Sequence, residues 1–419
     1  MLKNKIMLMV LGLSLILAGC SSTGSQNASQ TSKSTTASNK PSIQQSSNST
    51  SSSKNTQVGS SQSDGTSTGS SKTTSNSPKQ PVTNIPAPSK IDMSMVTAVR
   101  LADFNTGWVG GNGWIAKTTT GGKNWFVIYQ GSGTVRQIFA LNRSDVWATL
   151  DKGGSSLRLL HSSDGGQHWA AIGTVPNKAF LHFTSKTTAF SGNAFSQDGG
   201  KSWHTLTTPK NIVGDAYFHD MKNGWVVTQH NNQFYVNKTT DGGKSWKAVM
   251  TKKLESPLAG AVLRSAGTND AWVELIGGTG MTQTSYSVFH TTDGGKSWKT
   301  VIANSTAGGG PAPGFSLGYS KGPTNKGSKP GFLYVVNSQI AFMSGSCPAC
   351  DTPNSIGWTK DGGKTWVNSK VTLPGYGESY LAIADTNHGW WITTENTKPS
   401  IMYTTSDGGI HWTQVHLFH

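Results

Sequence analysis

Glutamate is nearly missing from this chain: its 419 residues hold four, Glu255, Glu274, Glu378 and Glu395. Arginine numbers five (Arg100, Arg136, Arg143, Arg158, Arg264), and charged residues make up only 13% of the whole. With 50 glycines, that composition suits a turn-rich β protein better than a helical one. Five arginines also leave little for guanidinium readout of phosphates or bases, so nucleic acid is not an expected partner despite a formal net charge of +15. Cysteine occurs three times, too few for a disulfide scaffold. No nucleophile elbow, phosphate loop or metal-protease helix motif is present, and no helical hydrophobic period is sustained. No cofactor and no metal are therefore expected.

What is present is repetition. The stretch Thr239-Thr240-Asp241-Gly242-Gly243-Lys244-Ser245-Trp246 has near-copies throughout residues 118–412. Seven instances end at Trp125, Trp169, Trp203, Trp246, Trp298, Trp366 and Trp412, at intervals of 44, 34, 43, 52, 68 and 46 residues. Six carry an aspartate at the third position: Asp164, Asp198, Asp241, Asp293, Asp361 and Asp407. The first has Thr120 there and keeps both glycines and the tryptophan. An aspartate followed by two glycines makes a tight turn, the carboxylate accepting backbone N–H groups and the glycines supplying positive φ. One reactive centre needs a few carboxylates, not one in each repeat, so these aspartates are expected to hold turns. The tryptophans are expected to bury their rings against a neighbouring sheet.

Upstream of each turn an aromatic follows a short polar bend: Trp108, Trp147, Phe190, Trp225, Trp272, Phe342 and Trp390. Each repeat then reads as four short strands, A to D, with the Asp turn joining C to D. In the fourth they span 215–219, 224–229, 233–239 and 246–250. Four strands every 40–50 residues predict an all-β fold, a seven-bladed β-propeller with four-stranded blades, A innermost. An open β-solenoid is the alternative layout, and no split blade announces how a ring would close. Alternating strand direction puts the D–A and B–C loops on the face opposite the Asp turns. An insertion at 304–329 and the pair Cys347 and Cys350 both fall on that face, which predicts a raised lip and a binding surface there. The C-x-x-C pair reads as a disulfide in an oxidising exterior, with redox chemistry and zinc as the other readings. His161, His168, His204, His290 and His411 lie near the turns, in packing or surface roles.

The first ninety residues differ in kind. Residues 1–20 join Lys3 and Lys5 to the apolar run Ile6–Leu17 and end at Leu17-Ala18-Gly19-Cys20, a segment too short to span a bilayer in the manner of a transmembrane helix. Residues 21–90 are almost wholly Ser, Thr, Asn, Gln, Gly and Lys, a composition that predicts a disordered tether with a reach of roughly 45–50 Å. Residues 91–419, with +8 of the net charge, carry the repeats.

These motifs have known likenesses. Leu17-Ala18-Gly19-Cys20 resembles the lipobox of bacterial lipoproteins, which implies a diacylglyceryl group on Cys20, cleavage after Gly19 and residence on the outer side of the cell membrane. An uncleaved anchor or an ordinary signal is the other reading. The eight-residue unit resembles the Asp-box, or BNR, repeat of sialidase-like propellers. The longer unit, as in 220–246, looks like the photosystem II stability/assembly factor family of seven-bladed propellers. The likeness is specific for fold and weak for function. The Phe-Arg-Ile-Pro motif of sialidases is absent, and no arginine cluster can be matched to the basic patch of the assembly factors. The repeats, the tether, the lipobox and the missing catalytic constellation together point to a non-enzymatic scaffold that binds a protein or an envelope polymer on the face opposite the Asp boxes; the oligomeric state does not follow from them. The alternative is an exported glycan-processing hydrolase of sialidase-like architecture, with an acidic pair drawn from Asp151, Glu255, Glu274 and Glu378.

Overall fold

A computed structural model describes residues 91–419; the expected signal segment 1–20 with Cys20 and the expected tether 21–90 lie outside the described residues. The described chain is all β, built wholly of antiparallel pairs. The seven repeats occupy six sheets. Repeats three to seven each form a four-stranded sheet in chain order, whereas repeats one and two share one sheet of seven strands. Their link is a single strand, Phe126–Ala140. Its first part pairs with Asn112–Thr118 of repeat one and its second part with Val146–Asp151 of repeat two. The expected D–A loop is therefore missing here. The strand turns the corner instead through register shifts and Gly133, whose φ of +103° a side chain would resist.

In the fourth repeat the strands are Ile212–Phe218, Gly224–His230, Gln233–Thr239 and Lys247–Lys253, so each predicted strand is present with its ends moved by a few residues. The bend aromatics form the inter-sheet core: Trp108, Trp147, Phe190, Trp225, Trp272, Phe342 and Trp390 are all at most 1% exposed. The tryptophans of the Asp turns are only half-buried, contrary to expectation. Each stands just before an outer strand and packs, partly buried, against a core cluster. The Trp246 indole N–H reaches back to the Thr207 carbonyl at 3.2 Å, and that of Trp298 to Val249 at 3.2 Å.

The turns follow one plan. The Thr239 hydroxyl accepts the Gly243 N–H at 2.9 Å and donates to the Asp241 carboxylate at 2.7 Å. Asp241 also accepts the N–H and hydroxyl of Ser245, at 2.9 and 2.6 Å. In the first repeat the Thr120 hydroxyl takes over from the carboxylate, accepting the Asn124 N–H at 3.0 Å. The first turn glycine of each repeat donates its N–H to the A–B bend, for example Gly242 to Lys222 and Gly362 to Gln339. The second glycine meets the preceding repeat: a Cβ on Gly243 would lie 2.2 Å from the Thr207 carbonyl oxygen.

The first and last repeats are joined. The Ser400 N–H donates to the Ser94 carbonyl, Phe418 donates to Ser400, and the Ser400 hydroxyl accepts the Val96 N–H. Trp125 packs on Trp390 and Phe418, with ring centroids 5.7 and 5.6 Å apart. Innermost strand Ala98–Leu101 packs beside Ser379–Ile383, its counterpart in repeat seven.

Candidate functional site

The innermost strands leave a cavity of about 680 Å³ between them. Arg100, Arg136, Lys178 and Arg264 enter it from four of the repeats, a convergence the sequence reading did not foresee. The register explains two of these positions. Arg100 pairs with Trp108 and Arg264 with Trp272, so each stands across from a bend aromatic. The same cross-strand position holds Phe139, His182, Tyr217, Tyr334 and Ala382 in the other repeats. Aromatic rings support the guanidinium groups: Arg100 lies 4.6 Å from the Phe139 centroid and Arg264 3.9 Å from that of Phe180. His182 stacks on Tyr217 at 4.7 Å, and burial lowers its pKa to about 4, so it is neutral at pH 7.

These cations differ in how they are paired. Arg136 and Lys178 share the Asp151 carboxylate, at 3.1 and 2.7 Å. Lys178, the Gly153 N–H and Arg136 hold that carboxylate well below the usual range. Asp151 is thus spoken for and is a poor proton carrier. Arg100 and Arg264 bond only backbone carbonyls, those of Ala140 and Leu263, and neither has a carboxylate at ion-pair distance among the described residues. Burial lowers the Arg264 pKa, opposed by Tyr217, Glu274 and Asp215 nearby.

Beside this cavity, a second of about 650 Å³ runs between repeats five, six and seven. Glu274 and Glu378 both line it, together with Arg264, Lys329, Phe332 and Tyr376. Strand Ala271–Gly280 alternates: Val273 and Leu275 pack toward repeat four, and Trp272 packs toward repeat six. Glu274 follows Trp272 on that second face, where other repeats place Gly110, Thr149, Gly192, Val227, Ser344 and Ile392. It is 2% exposed with no hydrogen-bond partner among the described residues, and burial raises its pKa to about 8 against the pull of Arg264. Glu255 is exposed outside both cavities.

The remaining sequence candidates resolve as follows. Cys347 and Cys350 are joined by a disulfide with Cα atoms 5.4 Å apart. Their loop is tied to repeat seven by the Tyr376 hydroxyl, 3.0 Å from the Cys350 carbonyl. Segment 304–329 does not stand up as a lip. It lies against the glycines of hairpin 277–283, with Ser285 and Ser287 donating to the Gly309 and Pro313 carbonyls, and Phe315 stacks on Phe289. The carboxylates of the Asp turns stay apart, each engaged in its own turn; Asp241 is held at about 2 by the Ser245 hydroxyl and N–H and by Thr239. His168 and His411 pair with Asp164 and Asp407, whereas buried His290 bridges Asp270, at 2.8 Å, and the Gly362 carbonyl, at 2.9 Å. Among the described residues no three His, Cys, Asp or Glu side chains gather to hold a metal.

Residues 191–308 match the family model described as sortilin, neurotensin receptor 3 (Sortilin-Vps10). No curated protein matches. Among solved structures, YCF48 from Cyanidioschyzon merolae is 13% identical with a TM-score of 0.46, over 80% of this chain and 98% of that one. YCF48 bound to a D1 peptide is 13% identical with a TM-score of 0.42, over 76% and 92%. The GH74 enzyme of Niastella koreensis is 14% identical with a TM-score of 0.36, over 77% of this chain and 65% of the enzyme. At identities of 13–14% and TM-scores of 0.46 and below, these likenesses carry neither a family nor an activity over to this chain.

Proposed function

We propose that residues 91–419 form a closed seven-bladed propeller that works as a non-enzymatic binding scaffold, tethered by residues 21–90 to a lipid on Cys20 outside the cell membrane. Its partner is a protein or envelope polymer bearing negative charge, taken in the channel where Arg100 and Arg264 stand, near the A–B bends and not on the opposite face expected from sequence. One observation carries this reading: Arg100 and Arg264 face the channel supported by aromatic rings and without a carboxylate of their own. Desolvated guanidinium groups that are not already paired donate favourably to carboxylates or phosphates. Poly-L-glutamate and polyglycerol phosphate serve as probes. Binding should weaken with salt and fall at least about tenfold (1.4 kcal/mol) in the Arg100→Ala/Arg264→Ala double variant. Unchanged affinity in that variant would sink the proposal. The anchor is tested separately: Cys20→Ala should move the protein out of the membrane fraction.

A second reading, glycan hydrolysis, draws on the presence of Glu274 and Glu378 in one cleft. A buried acid of raised pKa beside an exposed carboxylate is the asymmetry that glycosidic cleavage needs. Release of reducing ends from envelope glycans by the wild-type chain, and none by Glu274→Gln, is its test.

A further inference from the structure

The cleft beside the channel has features that a basic docking channel does not call for. Its volume, about 650 Å³, lies within the ~300–1,000 Å³ of small-ligand pockets. At its wall stands Glu274, the one ionisable side chain at its position in the seven repeats, almost wholly buried and bonded to nothing among the described residues. A buried carboxyl without a partner is costly to keep, and an apolar residue would serve the sheet packing better. Arg264 and Lys329 add donors from adjoining strands. Phe332 and Tyr376 expose 42% and 56% of their surface, although most large apolar side chains of this body are covered, and both lie on this one cleft.

We infer that this cleft binds a neutral saccharide segment, with Glu274 and Arg264 hydrogen-bonding its hydroxyl groups and the Phe332 and Tyr376 rings taking its apolar ring faces. The choice among ligands follows from the lining. An anion would meet the exposed Glu378, and a cation would meet Arg264 and Lys329. A polyhydroxylated, uncharged ligand both donates and accepts, so it satisfies the carboxyl and the guanidinium together. Its C–H faces are the apolar surface that two exposed rings at a polar cleft are suited to cover. Protonated Glu274 can donate as well as accept, which further favours a ligand without charge.

The inference shares the cleft with the hydrolytic reading and requires only that the cleft bind. The full chain is titrated by calorimetry and saturation-transfer NMR with tetrasaccharides of glucose, xylose and N-acetylglucosamine, and with a tetrasaccharide of glucosamine as the cationic control. Binding of at least one neutral oligosaccharide is expected, weakened about tenfold or more in Tyr376→Ala and in Glu274→Gln. Tyr376 is a surface residue, so its variant keeps the test valid should Glu274→Gln fold poorly. Absence of binding by every neutral probe, affinity unchanged from wild type in both variants, or binding of glucosamine oligomers alone overturns the inference. Binding with no reducing ends released upholds it while removing the hydrolytic reading.

Discussion

Glu274 makes the protein's stability depend on pH in an unusual direction. Its carboxyl holds a proton up to about pH 8 in the folded chain, whereas in the unfolded chain it loses that proton near the ordinary glutamate value. Between roughly pH 4.5 and 8 the native state therefore binds the extra proton, and stability falls as pH rises through that window. Glu274→Gln is expected to flatten this slope, melting above wild type at pH 8 and near it at pH 5, as thermal unfolding at both values would measure. The aspartates of the turns act oppositely. Hydrogen bonds depress their pKa values, so their contribution is present at neutral pH and is lost as pH falls through about 4 toward 2. At this scale the sequence was only partly legible. Glu274 was visible as a lone acid in the apolar run Ala271–Ile276, and the channel arginines had a signal too, standing eight residues before Trp108 and Trp272. That offset becomes meaningful only once the register pairs the two positions, since a cross-strand neighbour is set by the turn between them.

Within a repeat, the Asp turn and the A–B bend act as one element, joined by the glycine N–H that crosses between them. Thr239→Val keeps the shape of the side chain and removes the oxygen that accepts the buried Gly243 N–H. The loss is expected to be about 1–3 kcal/mol in urea unfolding. The reverse change is available in the first turn. Thr120→Asp supplies the carboxylate that the other six have, and a gain of about 0.5–2 kcal/mol is expected from a consensus substitution of this sort. His290 shows how one element holds the next. His290→Ala would leave the buried Asp270 Oδ2 without its partner, Oδ1 keeping the Ala266 N–H, and break the link to the Gly362 turn, at about 1–3 kcal/mol. The turn motif, the four strands of repeat four and the bend aromatics could all be read from residue pattern, because glycine pairs and strand alternation are local. The half-exposure of the turn tryptophans could not, because it depends on how far each outer strand overhangs the neighbouring sheet.

At the scale of the molecule, the fused sheet of repeats one and two and the junction of repeats one and seven were hidden from sequence. Both rest on pairings that carry no motif: Gly133 at a corner, and Ser400 beside Ser94. Phe418 is the residue to test. It is fully buried against Trp125, so Phe418→Ala should cost about 3–5 kcal/mol. The same variant should also loosen the amides around Ser94 in hydrogen exchange.

Because the segment around Ser94 is stitched to Ser400, and Ser400 to Phe418, residues 91 and 419 lie within a few residues' reach of each other. Where the polypeptide starts is then a matter of gene layout and not of architecture. A rearranged gene that opens at the exposed Gly153-Gly154 loop and bridges residues 419 and 91 with a short glycine-serine link would encode the same body with new ends. Such a molecule would carry residues 1–90 on a different repeat, and so separate the proposed anchoring from the proposed binding.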